Sequence, residues 1–160
     1  MKTLNKISDN IDKAVGWFLI ACFMLMTVAY FGQVVLRYVF QTGIHWSEEI
    51  TRYTNIALVM FGSALMAKKN AHINVSILQQ LVPKKAEKWV IILQQLLTMV
   101  FAGFVVVYSF QMIKIAGTQV STNMRIPMKF VYAIFPIAFS LMVFNIIVFL
   151  LNSLTKKEEE

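Results

Sequence analysis

Charged residues, cysteine and histidine are all scarce in this 160-residue sequence. Charged residues make up 14% of the chain, whereas a typical soluble domain carries about 25%. Hydrophobic residues make up 58%, more than a soluble fold of this size could hide from water. These proportions predict a protein that lies in a membrane.

The one cysteine, Cys22, excludes an intrachain disulfide and a cysteine-ligated metal site. His45 and His72 both fall outside the apolar runs, so the paired histidines that would hold a haem between helices are absent. No pairing of a nucleophile with a base can be assembled from these residues. We therefore expect no metal, no cofactor and no enzymatic activity.

Four stretches carry no charged residue, and a spanning helix needs about 20 residues. Only the second stretch, Tyr53 to Ala67, is shorter than that. It becomes long enough if its helix begins at Ser47, a good N-cap, with Glu48 and Glu49 in the first turn near the positive end of the helix dipole. The sequence predicts an all-α membrane protein with one domain of four transmembrane helices, at about 14–36, 47–67, 89–113 and 130–154.

Lysine and arginine are distributed unevenly around these spans. The segments on the N-terminal side of the predicted membrane hold ten of them and the opposite side holds five. The positive-inside rule then places both termini in the cytoplasm. Because the basic residues sit beside spans, the net charge of +7 favours lipid headgroups over nucleic acid. The lysines predicted to meet headgroups are Lys68, Lys69, Lys84, Lys85 and Lys88.

The connection between the second and third spans has an amphipathic pattern. Ile73, Ile77 and Leu81 repeat every four residues after His72, and Pro83 would end a helix there. This pattern predicts a short helix along the cytoplasmic membrane surface. An extended loop whose alternating apolar residues cover the bundle is the alternative.

Two prolines and four polar residues mark the spans themselves. Pro127 suits the first position of the fourth helix, and Pro136 within that helix predicts a kink. Polar residues inside spans can line a substrate path, but they more often form hydrogen bonds between helices. Both interpretations stay open for Asn55, Gln94, Gln95 and Asn145.

Several short motifs follow one another along nearly the whole chain. The motifs are Arg37 to Phe40, Trp46 to Glu49, Arg52, Tyr53, Gly62, Lys68, Lys69, Ala71 to Val75, Ile126, Pro127, Tyr132 and Pro136. Their order resembles the small permease (DctQ-like) subunit of tripartite ATP-independent periplasmic (TRAP) transporters.

The resemblance implies a subunit of a sodium-driven importer in the bacterial inner membrane. In that family a periplasmic binding protein delivers an organic acid, of the sialic acid or C4-dicarboxylate class. A large multi-span permease subunit (DctM-like) carries the substrate and sodium sites. The small subunit braces the large one as a scaffold, which agrees with the scarcity of charged groups inside the spans.

One cluster of charged and aromatic residues lies at the predicted periplasmic ends of the first two helices. Its members are Arg37, Trp46, Glu48, Glu49 and Arg52, here called the rim residues. They either cap and neutralise a helix end or form an interface with the large subunit or the binding protein.

A different class of protein, a small exporter that works as a homodimer of four-span chains, is the alternative. Such a protein would need to bind a cation or proton inside the membrane, which calls for an acidic residue within a span. The first span has none.

Overall fold

The computed structural model describes residues 2–43, 45–68 and 84–155. Those residues form four long helices and one short 3₁₀ turn, and they include no strand. The prediction of an all-α protein is therefore confirmed for the described residues. The helices are α1 (Lys2–Val39), α2 (His45–Lys68), α3 (Lys84–Ile115) and α4 (Met128–Thr155), with the 3₁₀ turn at Ala116–Thr118 between α3 and α4.

Three of these helices are long and apolar enough to cross a membrane. The stretches are Asn5–Val39 in α1, Trp89–Thr118 at α3 and Met128–Asn152 in α4. The second helix is not among them, since its first two turns carry Glu48, Glu49 and Arg52. The structure therefore supports three of the four predicted spans by length and composition.

The helices lie side by side in the order α1, α2, α4, α3. In this arrangement α2 and α4 each have a neighbour on both sides, whereas α1 and α3 form the edges. None of the residues in the most apolar stretch of α1 is buried within the chain. Most of the apolar surface is therefore open to lipid or to another protein.

The contacts of α1 with α2 and α4 follow one stripe of α1. Partly or fully buried positions recur along α1 at alternating intervals of three and four residues, the spacing of a coiled-coil seam. An edge-to-face contact between Phe18 and Phe61, with ring centroids 5.6 Å apart, also joins α1 to α2. The stripe comprises Asn5, Ser8, Asp12, Val15, Leu19, Cys22, Met26, Ala29, Gln33 and Leu36.

The buried core lies where α2, α3 and α4 meet. Ala64 and Ala67 from α2 and Ala102 from α3 pack around Met142 and Ile146 of α4. Small side chains let helix backbones approach closely, which is the usual basis of helix association in membranes.

The two ends of the row of helices differ. At one end, here called the termini end, Asn5 and Asn152 exchange two side-chain hydrogen bonds, of 3.1 and 2.9 Å. The start of α1 and the finish of α4 are therefore adjacent. The opposite end, here called the loop end, contains the end of α1, the start of α2 and residues 116–127, here called the loop segment.

Candidate functional site at the loop end

Glu49 is the central residue of the loop end. It lies near the start of α2, and only 7% of its surface is exposed. Its Oε2 atom accepts hydrogen bonds from Ser121 Oγ at 2.8 Å and from the backbone N–H of Met124 at 3.0 Å. Its Oε1 atom accepts one from the backbone N–H of Asn123 at 2.9 Å. The carboxylate therefore joins α2 to the loop segment.

The chemistry of this contact requires an acid. Three donors converge on both oxygens of one carboxylate, and such hydrogen bonds favour its ionised form and offset its burial. An amide at position 49 would offer one acceptor oxygen and two donors, and the donors would face other donors.

The loop segment also has hydrogen bonds of its own. The backbone N–H of Met128 donates to the oxygen of Gln119, and that of Ser121 to the oxygen of Ile126, both at 2.9 Å. Arg125 closes the turn with a φ of 54°, in the left-handed region. Glu49 therefore holds a segment that is already folded back on itself.

A second hydrogen bond joins α1 to α2 at the loop end. Ser47 Oγ donates to Gln33 Oε1 at 2.7 Å, and Ser47 is only 1% exposed. The prediction of Ser47 as N-cap is wrong, because α2 begins two residues earlier, at His45. The hydroxyl of Ser47 contacts the neighbouring helix instead.

The other four rim residues, Arg37, Trp46, Glu48 and Arg52, are exposed. Arg52 Nη2 lies 3.8 Å from Glu48 Oε1, and the two side chains are 65% and 70% exposed. An exposed pair of this kind contributes only about 0–1 kcal/mol to stability. The adjacent acids Glu48 and Glu49 thus point into different environments, one towards solvent or lipid and one into the chain.

Polar side chains also meet at the termini end, around Asn145. This residue of α4 is fully buried, and its Nδ2 donates to the backbone oxygen of Ala64 and to Asp12 Oδ1, each at 3.1 Å. Its Oδ1 accepts a hydrogen bond from Ser8 Oγ at 3.2 Å. A single amide therefore joins α4 to both α1 and α2.

Gln95 of α3 makes a similar contact. It is 2% exposed, and its Nε2 donates to the backbone oxygen of Ala67 at 3.4 Å. Two of the four polar residues singled out in the spans, Gln95 and Asn145, thus form hydrogen bonds between helices. Asn55, by contrast, is exposed on α2.

The α1 side of this cluster lies outside the predicted spans. Asn5, Ser8 and Asp12 precede the first predicted span, which begins at about residue 14. Their spacing of three and four residues continues the stripe by which α1 contacts its neighbours. That continuation was the signal that would have assigned them to the packed face.

Both prolines lie close to their predicted positions. Pro127 immediately precedes α4, pairs with Val120 in an isolated bridge, and accepts a hydrogen bond from the N–H of Phe130 at 3.1 Å. Pro136 is buried inside α4, and the helix continues past it to Thr155.

The predicted interfacial helix, with His72, Ile73, Ile77 and Leu81, lies outside the described residues, as does Lys69. Lys68 is the last residue of α2, and Lys84, Lys85 and Lys88 lie in the first turns of α3. Within residues 2–43, 45–68 and 84–155, no three His, Cys, Asp or Glu residues are grouped to hold a metal.

Comparison with known proteins gives a match over most of the chain. The model of the family described as tripartite ATP-independent periplasmic transporters, DctQ component, matches residues 14–156. A Haemophilus influenzae protein named as a TRAP transporter small permease is 31% identical over 127 residues, which cover 79% of this chain and 77% of that protein.

Two further relatives carry substrate names. The chain is 26% identical over 147 residues to the sialic acid TRAP transporter permease protein SiaT of Haemophilus influenzae. That match covers 92% of this chain but only 23% of SiaT. The C4-dicarboxylate TRAP transporter small permease protein DctQ of Vibrio cholerae is 33% identical over 86 residues, 53% of this chain and 35% of that protein.

Proposed function

The chain belongs to the DctQ component family of tripartite ATP-independent periplasmic transporters, and we propose that it is the scaffold subunit of a sodium-coupled importer in the bacterial inner membrane. In this proposal it braces a large permease subunit and does not bind the transported substrate. Members of the family are transport proteins, and the three apolar helices agree with a multi-pass membrane protein.

The observation that carries the scaffold role is the open row of helices. Apolar side chains are exposed along α1 and α3, including Phe23, Phe31, Phe101 and Phe104, each of which is more than half exposed. A protein that carried substrate by itself would need polar groups near the membrane midplane that face a cavity. Here the buried Glu49, Gln95 and Asn145 make hydrogen bonds between elements of the chain. The buried hydroxyls of Thr51 and Ser109 donate to carbonyl oxygens of their own helices.

The proposed large partner is supported by the match to SiaT. Because the matched region is only 23% of SiaT, that permease carries a counterpart of this chain within a much longer polypeptide. We infer that this chain associates with a large permease (DctM-like) in the transporter. A periplasmic binding protein would deliver the substrate to the complex.

Two substrate classes are proposed, sialic acids and C4-dicarboxylates. Both come from the names of relatives, SiaT and the Vibrio cholerae DctQ protein. The residues that select between the two classes are expected on the partners.

The membrane arrangement in this proposal has four spans in one domain, with both termini in the cytoplasm. The second helix crosses with its neighbours because Ser47 is joined to α1 at the loop end and Ala64 to α4 towards the termini end. At 24 residues α2 is about 36 Å long, enough to span. The lysines at the termini end, together with the predicted interfacial helix, would then meet cytoplasmic lipid headgroups.

The periplasmic interface is proposed to lie at the loop end. The carboxylate of Glu49 accepts hydrogen bonds within the chain, so Glu49 positions the loop segment and does not contact a partner. Arg37 and Trp46 are exposed and would contact the large subunit or the binding protein directly. Trp and Arg are the residue types most often found at interaction hot spots.

Purification and transport together test this function. Affinity purification of the chain from its native membrane in mild detergent should recover a much larger multi-span protein. Proteoliposomes with this complex and its binding protein should take up a sialic acid or a C4-dicarboxylate only with an inward sodium gradient. Recovery of the chain alone, or transport by the chain alone, would overturn the proposal, and the second result would favour a homodimeric exporter.

A further inference from the structure

A cleft of about 380 Å³ opens between α1 and α2 at the loop end. Its two walls differ in chemistry. The α1 wall consists of Met26 and Tyr30, and the α2 wall is polar, with Glu48, Thr51, Arg52 and Asn55. The function proposed above does not use this cleft.

The polar groups of the α2 wall follow one another along the helix. Arg52 and Asn55 lie four and seven residues after Glu48, which puts all three on one face. Along the axis they are about 6 Å and about 10 Å from Glu48. All three are exposed, so an acid at the helix start is followed inwards by a guanidinium and then by an amide.

We propose that this cleft binds one phospholipid with a primary-amine headgroup, such as phosphatidylethanolamine. From the membrane surface inwards, such a lipid presents an ammonium, a phosphate, ester oxygens and an acyl chain. Glu48 accepts from the ammonium, Arg52 donates to the phosphate and Asn55 donates to an ester oxygen. Met26, on the α1 wall, contacts the start of the acyl chain.

The pairing of Glu48 with Arg52 supports this occupant. At 3.8 Å between Arg52 Nη2 and Glu48 Oε1, with both side chains about two-thirds exposed, the pair is weak and both groups keep donors and acceptors to offer. In a zwitterionic headgroup the ammonium is a better partner for Glu48 and the phosphate is a better partner for Arg52. A lipid with a purely anionic headgroup would satisfy Arg52 but be repelled by Glu48.

Asn55 supports it independently. Its amide is exposed near the start of the uncharged run Tyr53 to Ala67, next to the depth at which hydrocarbon offers no hydrogen bond. Lipid ester oxygens lie at this depth below the headgroup. The proposal needs only that the start of α2 lies at a bilayer surface, so it does not depend on the transporter function.

Native mass spectrometry of the full chain tests the site, in detergent with added phospholipids that share the same acyl chains. The wild-type chain should retain phosphatidylethanolamine in preference to phosphatidylglycerol. Arg52→Gln should weaken retention of both lipids, by about tenfold for the loss of one charge-assisted hydrogen bond. Glu48→Gln should weaken retention of phosphatidylethanolamine and strengthen that of phosphatidylglycerol, which Glu48 no longer repels, and so remove the preference.

Arg125→Gln is the matched control, since it removes the same charge from the same end of the molecule but outside the cleft. This variant should retain both lipids as well as the wild-type chain does. A comparison without mutation adds phosphatidylcholine, whose methylated ammonium has no N–H donor for Glu48. The wild-type chain should retain phosphatidylcholine less well than phosphatidylethanolamine.

Three results would overturn the proposal. The first is equal retention of phosphatidylethanolamine and phosphatidylcholine by the wild-type chain. The second is an equal effect of Glu48→Gln on phosphatidylethanolamine and phosphatidylglycerol. The third is unchanged retention of both lipids on Arg52→Gln, which would leave the cleft to another occupant.

Discussion

Ser121 donates a hydrogen bond of 2.8 Å to Glu49 across 72 positions of the sequence. The bond links the start of α2 to the segment between α3 and α4, two elements that are not neighbours in the chain. Because Glu49 also accepts from two backbone N–H groups of that segment, it fixes the main chain as well as one side chain. A single carboxylate therefore joins the loop segment to the start of α2.

Glu49→Gln should destabilise the protein. The amide keeps one acceptor oxygen and turns donors towards the backbone N–H of Asn123 or Met124, so at least one buried donor loses its acceptor. The expected loss is about 1–3 kcal/mol in the free energy of unfolding. Unfolding of the purified chain in mixed micelles, followed by circular dichroism, would measure it.

Glu48→Gln is the control for that prediction, since it makes the same chemical change one residue earlier. Glu48 is exposed and makes one weak ion pair, so its loss should change the unfolding free energy by less than about 1 kcal/mol. Equal losses of unfolding free energy in the two variants would contradict the role of Glu49 in holding the loop segment.

Asn145→Leu should weaken the termini end. Leucine has the same number of side-chain heavy atoms and the same branching, but it cannot bond to the Ala64 oxygen, to Asp12 or to Ser8. Hydrogen bonds between membrane helices contribute about 1–2 kcal/mol at most, and we expect a loss in that range in the same unfolding assay. Asn55→Leu, at an exposed position of α2, should change stability by less than about 0.5 kcal/mol. No difference between the two variants would contradict the packing role of Asn145.

The sequence predicted the helices well because their signal is local. Long uncharged runs define α1, α3 and α4 directly, and the structure confirms them as apolar helices. The predicted span at about 14–36 lies within α1, which begins at Lys2. Asn5, Ser8 and Asp12 are polar, yet each is held by a side chain of α4, a contact that composition does not encode.

The candidate site could be predicted only in part, because adjacent residues there have different environments. Glu48 and Glu49 look equivalent in a Trp-Ser-Glu-Glu string. Which acid is buried depends on the facing direction of α2 and on the donors that Ser121 and its neighbours bring from far along the chain. Such distant pairing lies beyond what periodicity can show.

Cross-linking should confirm that the chain termini share one end. Asn5→Cys and Asn152→Cys, introduced together in a Cys22→Ala background, should form a disulfide on mild oxidation, since the native side chains are in direct hydrogen-bond contact. Asn5→Cys with Gln119→Cys is the control, because residue 119 lies in the loop segment at the opposite end. Cross-linking of the control pair, or none in the first pair, would contradict this arrangement.

Labelling from one side of the membrane should test whether α2 crosses it. Single cysteines in the Cys22→Ala background are placed at Lys2, at Thr42 between α1 and α2, and at Arg125 in the loop segment. A maleimide that cannot cross membranes is then added to intact spheroplasts. With four spans and cytoplasmic termini, Thr42→Cys and Arg125→Cys should react at once, and Lys2→Cys only after permeabilisation.

The two outer positions together decide the number of spans. If α1, α3 and α4 crossed but α2 did not, the chain would return to the cytoplasm through α3, and position 125 would lie on the side opposite to position 42. Labelling of Thr42→Cys without labelling of Arg125→Cys would therefore contradict the fourth span. Labelling of Lys2→Cys alone would show that the orientation is the reverse of the proposed one. Labelling of both Thr42→Cys and Arg125→Cys supports the fourth span, because the hydrogen bond between Glu49 and Ser121 requires the start of α2 and the loop segment to lie on the same side of the membrane.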